Sequence, residues 1–155
     1  MAQFNTKEEF MEGNLFDFIE EYAMNILNRS DRLKVQVVRS DTEGIEMKFV
    51  PQNIAIILDN VVSNSTKYNA NELRVLLGKD EKQYTIDFID DGDGVSSDIA
   101  DLNELFEFGK GYTLTGTGVG LYHIKDIVEK DLQGTVTIES EPQKGFALHV
   151  RFGKV

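Results

Sequence analysis

The sequence predicts one α+β domain, in which about three helices cover one face of a mixed, mostly antiparallel sheet. Three observations predict this two-layer sandwich. The chain has 155 residues, 41% of them hydrophobic, which suits a single domain with its own core. Segments with helical periodicity and segments with strand periodicity both occur. They follow one another in separate blocks, whereas a doubly wound parallel sheet would alternate strand and helix more strictly.

Composition narrows the classes of function. The formal net charge of −11 argues against nucleic-acid binding, because phosphate backbones select basic surfaces. The absence of cysteine excludes disulfides and thiolate metal sites. No apolar run approaches the length that spans a bilayer, and no signal-peptide pattern follows Met1. We therefore expect a soluble, cytoplasmic domain without direct membrane insertion. Membership in a longer, membrane-anchored protein is compatible with this expectation.

The first half of the chain predicts two helices and four strands. Residues 1–14 are expected to be a flexible N-terminal segment, and residues 15–155 the domain. An amphipathic helix starts at Leu15, and Pro51 opens a second helix that runs to about Lys67, because proline is well tolerated in the first turn. Strand patterns are found in LKVQVV and IEMKFV, separated by the turn TEG, and in ELRVLL and YTIDFI, joined by GKDEK.

The second half starts with the loop DDGDGV and a short helix from about Asp98 to Glu107. The glycine-rich segment GKGYTLTGTGVG follows, and a third amphipathic helix starts near Leu121. The strands TVTIES and FALHVRF, with the turn EPQKG between them, close the chain. Because helices and pairs of strands follow one another in separate blocks, we expect one mixed sheet with the helices on one face.

The second helix has asparagine residues in its interior, where their side chains do not favour helix formation. At 100° per residue, a narrow stripe of polar side chains lies beside a broad apolar arc; the stripe consists of Asn53, Asn60, Asn64 and Lys67. Asparagine is a poor helix former unless its side chain is used, and an amide oxygen suits Mg²⁺ that is shared with phosphate. The alternative is an ordinary solvated helix face.

Two glycine loops complete the pattern. In the first, Asp90 ends an apolar strand, and it can accept a hydrogen bond from an exocyclic amino group between walls formed by Phe88, Ile89 and Val95. A calcium loop is excluded by its spacing, since Asp98 stands where an EF-hand requires glutamate, but a plain acidic turn remains possible. The second loop, GTGVGL, leads into a helix whose N-terminus favours phosphate. It has neither the dinucleotide nor the Walker spacing.

Together these elements resemble the GHKL superfamily, and specifically the catalytic ATP-binding domains of histidine kinases (HATPase_c, Bergerat fold). LDNVVSNSTKYN is similar to the N box, DDGDGV to the first glycine box, LFEFGKGYT to the F box and GTGVGLYHIKDIV to the second glycine box. The resemblance extends from about Leu15 to Phe152. It implies that ATP and Mg²⁺ bind between the N-box helix and a lid formed by KGYTLT.

The resemblance also implies site residues. Asn64 is the main Mg²⁺ ligand with Asn60 beside it, and these two residues with Lys67 form the catalytic set. Asp90 binds the adenine amino group. The remaining ATP contacts are Tyr68, Gly92, Gly94, Val95, Lys110, Gly116, Thr117, Gly118, Val119, Gly120 and Leu121.

This sequence departs from the resembled pattern at three points. Asn60 stands where ATP-hydrolysing relatives have a glutamate base; an amide cannot act as that base, which favours phosphoryl transfer over hydrolysis. The F box lacks its common proline, and Phe146 replaces a threonine that many relatives place near adenine.

The chain contains two histidines, His123 and His149, and we interpret both as structural or incidental. The phosphorylated histidine is then expected on a separate dimerisation domain of the same protein, with a response regulator as the further partner. Two other readings stay open: a stand-alone ATPase or serine-kinase-like regulator, and a non-catalytic, ATP-gated interaction module.

Overall fold

The computed structural model describes residues 9–29, 31–107 and 120–155. Five of its strands form one sheet: β2 (Lys34–Arg39), β4 (Glu72–Lys79), β5 (Tyr84–Asp90), β6 (Thr135–Ser140) and β7 (Phe146–Phe152). Their order is β2-β4-β5-β7-β6. The β2–β4 pair is parallel and the other three pairs are antiparallel. The predicted mixed, mostly antiparallel sheet is confirmed.

A second, two-stranded sheet pairs β1 (Met11–Asn14) with β3 (Glu46–Phe49). It corrects two expectations. Met11–Asn14, the last four residues of the segment that was expected to be flexible, form a strand because their backbone pairs with β3. The segments on either side of the turn TEG form β2 and β3 as predicted, but they do not pair with each other.

The three predicted helices are present as α1 (Leu15–Asn25), α2 (Pro51–Lys67) and α3 (Gly120–Asp131). Asn14 caps α1, since its side chain accepts a hydrogen bond from the Asp17 N–H at 3.1 Å. Such a cap satisfies a donor that the first turn leaves without an intrahelical partner. The short helix predicted from about Asp98 to Glu107 is only a 3₁₀ turn, Leu102–Phe106.

The core lies between the helices and one face of the five-stranded sheet. Strand residues alternate between the two faces, so Ile86, Phe88 and Asp90 of β5 all point toward the helices. The apolar side of α2 packs against them through Ile54, Leu58 and other buried residues. No helix within the described ranges is long and apolar enough to cross a membrane.

The opposite face of the sheet is polar where β5, β7 and β6 meet. His149 Nδ1 lies 2.6 Å from Asp87 Oδ1, and its Nε2 lies 3.1 Å from Glu139 Oε1. Arg151 donates to the same Asp87 oxygen at 2.8 Å. His149 therefore lies on the face away from the helices, in a strand that has a neighbour on each side.

Candidate functional site

A buried carboxylate lies at the end of β5. Asp90 is only 7% exposed, and a buried carboxylate is costly unless it is well hydrogen-bonded. Its Oδ1 accepts from the Gly92 N–H at 3.0 Å and from the Phe146 N–H at 3.1 Å. Its Oδ2 accepts from the Ser65 hydroxyl at 2.7 Å. A helix, a loop and a strand thus each provide one donor, and together they fix the direction of the carboxylate.

Asp90 borders a narrow cavity between α2, α3 and the sheet. The cavity has a volume of about 10 Å³, roughly the space of one water molecule. Its polar lining side chains are Asp90, Asn64 and Ser65; its apolar lining comes from Val61, Leu73, Phe88, Leu121, Phe146 and Leu148. Ligand sites have the same kind of lining, apolar with a few fixed polar groups, although they are much larger, about 300–1,000 Å³.

One predicted wall residue is placed differently. Phe88 lines the cavity, whereas Ile89 borders a separate groove, which Asp90 also lines. The two residues are adjacent in β5, and adjacent residues of a strand point to opposite faces of the sheet. Ile89 therefore does not line the cavity that Asp90 shares with Asn64 and Ser65. Val95 is buried on the loop that follows, and its N–H donates to Ser140 Oγ at 3.1 Å.

The amides of α2 have distinct surroundings. Asn64 borders the cavity. Asn60 Nδ2 donates to Ile56 O at 2.9 Å, and its Oδ1 is 3.1 Å from where a Cβ on Gly120 would lie. Gly120 therefore lets α3 start close to the amide. Asn53 donates to Asp131 at 2.7 Å and so links α2 to α3.

Lys67 and Tyr68 close the helix next to the first glycine loop. Lys67 is exposed in the last turn of α2. Tyr68 is the C-terminal cap, and burial raises the pKa of its phenol. The Tyr68 carbonyl accepts from the Asp93 N–H at 2.7 Å. The end of the N-box helix is thus bonded to the loop that follows Asp90.

The first glycine loop is held between two other segments. A Cβ on Gly92 would lie 2.6 Å from the Tyr68 carbonyl oxygen. Gly94 has a φ of +73°, and its Cβ would overlap with Glu141 O and lie 2.8 Å from Gly145 O. Such backbone conformation and close approach need glycine. The turn between β6 and β7 therefore fixes the loop from the side opposite α2.

Five predicted ATP contacts lie outside the described residues: Lys110, Gly116, Thr117, Gly118 and Val119. Of the other predicted site residues, Asn64, Asp90 and Leu121 line the cavity. Gly92, Gly94 and Val95 lie in the adjoining loop, to which Tyr68 is bonded. Asn60 and Gly120 approach each other where α3 begins, and Lys67 is exposed in the last turn of α2. Ser65 was missed by the sequence reasoning, although a signal was available. It continues the apolar stripe of Ile54, Leu58 and Val61 at helical spacing, and a hydroxyl within such a stripe needs a buried partner.

This geometry defines a class of site: a buried acceptor for a ligand N–H group, next to neutral amide oxygens at the start of a helix. Comparison with known proteins then gives the family. Residues 49–154, more than half of the chain, match the model of the histidine kinase-, DNA gyrase B- and HSP90-like ATPases. The chain belongs to this family.

Individual relatives agree with that assignment. The chain is 28% identical over 142 residues to the sensor protein kinase PilS of Pseudomonas aeruginosa, covering 87% of this chain and 26% of PilS. It is 27% identical over 158 residues to the heme sensor protein HssS of Staphylococcus saprophyticus, covering 95% of this chain and 34% of HssS. The chain therefore spans about a third or less of the length of these relatives.

A solved structure supports the fold. The catalytic domain of the histidine kinase ThkA superposes with a TM-score of 0.74, covering 94% of this chain and 96% of that domain. The two sequences are 19% identical, so the superposition carries the fold and not the activity.

Proposed function

We propose that this chain is the Mg²⁺·ATP-binding catalytic domain of a sensor histidine kinase. In this proposal it transfers the γ-phosphate of ATP to a histidine on a separate dimerisation domain. The observation that carries the proposal is the buried Asp90 carboxylate, which borders the same cavity as Asn64. The names of PilS and HssS support a sensor protein, and the name of PilS also supports a kinase.

Asp90 is the proposed acceptor for the adenine amino group. A carboxylate has about four acceptor positions, and three are already used by Gly92, Phe146 and Ser65. The remaining position on Oδ2 can accept one ligand N–H bond. Leu121, Val61 and Phe88 supply apolar surface for the base.

Two amides of α2 fit a magnesium ion shared with phosphate. No cluster of three carboxylate or histidine side chains in the described ranges could hold a metal by itself. Asn64 and Asn60 offer neutral amide oxygens, and Mg²⁺ bound with nucleotide takes few protein ligands and several phosphate and water oxygens. When bound, Mg²⁺ would neutralise charge on the phosphates. Gly120 permits Asn60 to lie close to the helix N-terminus, where anions are favoured.

Transfer is favoured over hydrolysis by the groups at hand. Asn60 has an amide that cannot take a proton from water at neutral pH. Among the described residues that line the cavity, the one carboxylate is Asp90, and it is committed to three hydrogen bonds. Lys67 is exposed beside the site, and its ammonium group can attract phosphate charge. The protein then positions ATP and leaves the nucleophile to its partner.

The partners follow from this reading. The acceptor histidine belongs to a dimerisation domain elsewhere in the same protein, and the phosphoryl group passes on to a response regulator. The small share of each relative that this chain covers supports further domains. A cytoplasmic position of this domain, within a membrane-anchored protein, is part of the proposal.

The first test is binding. Isothermal titration with Mg²⁺ and a non-hydrolysable ATP analogue should give association with the wild-type chain. Asn64→Ala should lower the affinity by about 100-fold or more, since even outer-shell residues of metal sites cost 10- to 100-fold. Asn25→Ala, at an exposed position that ends α1, is the matched control and should bind normally. Absence of binding by the wild-type chain would refute the nucleotide site altogether.

The second test is transfer. The chain is incubated with Mg²⁺, γ-labelled ATP and a histidine-bearing dimerisation hairpin supplied as a separate protein. Acid-labile, base-stable label on the hairpin is the expected result, and Asn64→Ala should abolish it. Release of labelled phosphate without labelled hairpin would identify an ATPase. Binding without either product would identify an ATP-gated interaction module.

A further inference from the structure

The Ser65 hydroxyl lies in the apolar core of the domain, next to the proposed base-binding carboxylate. Ser65 is 1% exposed and its Oγ is 2.7 Å from Asp90 Oδ2. A buried hydroxyl costs stability unless it is hydrogen-bonded, and Asp90 supplies that bond. Ser65 also borders the cavity with Asp90, so the bond lies at the surface that a base would touch.

Three donors restrict what Asp90 can present to a ligand. Oδ1 receives two backbone N–H groups, from Gly92 and Phe146. Oδ2 receives the hydroxyl of Ser65. Since a carboxylate has about four acceptor positions, one position remains, and it is on Oδ2. Without the hydroxyl, Oδ2 would have two positions and less restraint on its direction.

We propose that Ser65 is a positioning residue that makes Asp90 select adenine over guanine. This inference rests on the proposed nucleotide function. Adenine offers one exocyclic amino group, which matches one acceptor position. Guanine carries a carbonyl oxygen at that place, which a carboxylate repels, and its adjacent N1–H and amino group need two acceptors side by side. The hydroxyl of Ser65 denies guanine the second acceptor and holds the first in place for adenine.

A purely structural hydroxyl would behave differently. If the hydroxyl of Ser65 only stabilised the core, its removal would change the affinity for all nucleotides by the same factor. If it positions Asp90, its loss must depend on the group at position 6 of the purine. The test therefore compares ligands within each variant, so that a general loss of stability cancels.

The experiment measures Mg²⁺-dependent binding of ATP, GTP and purine riboside triphosphate, which lacks the 6-amino group, by competition with a fluorescent ATP analogue. Ser65→Ala should lower the preference for ATP over GTP by about tenfold, the size expected for one hydrogen bond to a charged group. Binding of purine riboside triphosphate should change little. Ser63→Ala, two residues away on the exposed side of α2, is the matched control and should leave the ATP preference intact.

Two further variants keep the test decisive. Ser65→Cys preserves the shape with a weak donor and should also lower the ATP preference, which serves if Ser65→Ala does not fold. In an Asp90→Asn background, Ser65→Ala should have no further effect on the preference. An unchanged ATP-to-GTP ratio in folded Ser65→Ala or Ser65→Cys, with normal ATP binding by the wild-type chain, overturns this inference alone. Failure of the wild-type chain to bind ATP overturns the proposed function as well.

Discussion

Replacement of Gly94 by alanine tests how the first glycine loop, DDGDGV, is held. Gly94 has a φ of +73°, and a left-handed conformation costs an ordinary L-residue about 1–2 kcal/mol. The added Cβ would also meet two backbone oxygens of the β6–β7 turn, one of them, Gly145 O, at 2.8 Å. Backbone atoms cannot rotate away as a side chain can, and such overpacking costs about 1–3 kcal/mol more. We expect a total loss of about 2–5 kcal/mol in the free energy of unfolding.

Gly153→Ala provides the matched control. Gly153 has nearly the same φ, +69°, but its Cβ would meet an aromatic side-chain atom, Tyr84 Cδ2, at 3.1 Å. A ring can shift by a few tenths of an ångström, so this variant should lose about 1–2 kcal/mol. Urea denaturation of both variants measures the difference in their free energies of unfolding, provided that the two variants have the same dependence on urea concentration (m-value). That difference isolates the contact between the loop and the β6–β7 turn.

The same pair separates stability from binding. Gly94→Ala should weaken Mg²⁺·ATP binding at temperatures where the domain is still folded, because the loop that carries the Gly92 N–H must move away from Asp90. Gly153→Ala should bind normally. Equal loss of stability in the two variants, or normal binding by Gly94→Ala, would refute the idea that this turn supports the site.

Two predictions concern ionisation. Hydrogen bonds from the Glu72 and Asn71 backbone N–H groups lower the pKa of Asp91; its stabilising effect is present above the unfolded pKa of about 3.9 and is lost as the pH falls through the lower folded value. Asp91→Ala should therefore destabilise the domain at pH 7 by less than about 1 kcal/mol, because the carboxylate is exposed and screened by solvent. The loss should shrink as the pH is lowered in an acid-denaturation series, and a pH-independent loss would contradict this. Burial, followed by the hydrogen bond to Asp59, raises the pKa of Tyr22 to about 12. Its contribution to stability is complete below about pH 10 and is lost as the pH rises through the folded pKa. In an ultraviolet titration, Tyr22→Phe should lack one phenol that ionises at high pH in the wild-type chain. An unchanged titration curve would contradict this prediction.

The helices and most strands could be predicted because their signals are local. Pro51 and the helical spacing of apolar residues predicted the bounds of α2. The alternation of apolar and polar residues in FALHVRF predicted β7. Pairing could not be predicted in the same way. The turn TEG suggested that the chain reverses between β2 and β3. Instead, β2 pairs in parallel with β4, which follows α2 in the sequence, and β3 pairs with β1. Such contacts depend on burial in the whole domain, and the short polar segment MEGN of β1 has no alternation that indicates a strand.

The same limit applies to the site. Asp90 could be singled out because a carboxylate at the end of an apolar strand is unusual. Its donors could not, since Ser65 and Phe146 are 25 and 56 residues away in sequence. Ile89, predicted as a wall beside Asp90, lines a groove beside Asp90 but not the cavity that Phe88 lines. Period 2 places it opposite Phe88 and Asp90.

The direction of the Asp90 carboxylate is a property of the assembled domain and of no single motif. Ser65 comes from α2, Gly92 from the first glycine loop, and Phe146 from β7. Loss of any one donor leaves the other two in place but frees one acceptor position. The cavity beside the carboxylate, about 10 Å³, is far smaller than a purine, so entry of a base requires part of its wall to move. Asp90 and Ser65 are fixed by mutual hydrogen bonding, whereas Leu121 contributes only apolar contact at the start of α3. Because apolar contacts are non-directional, we expect a base to displace the α3 side of the cavity and to leave the hydrogen-bonded carboxylate in place.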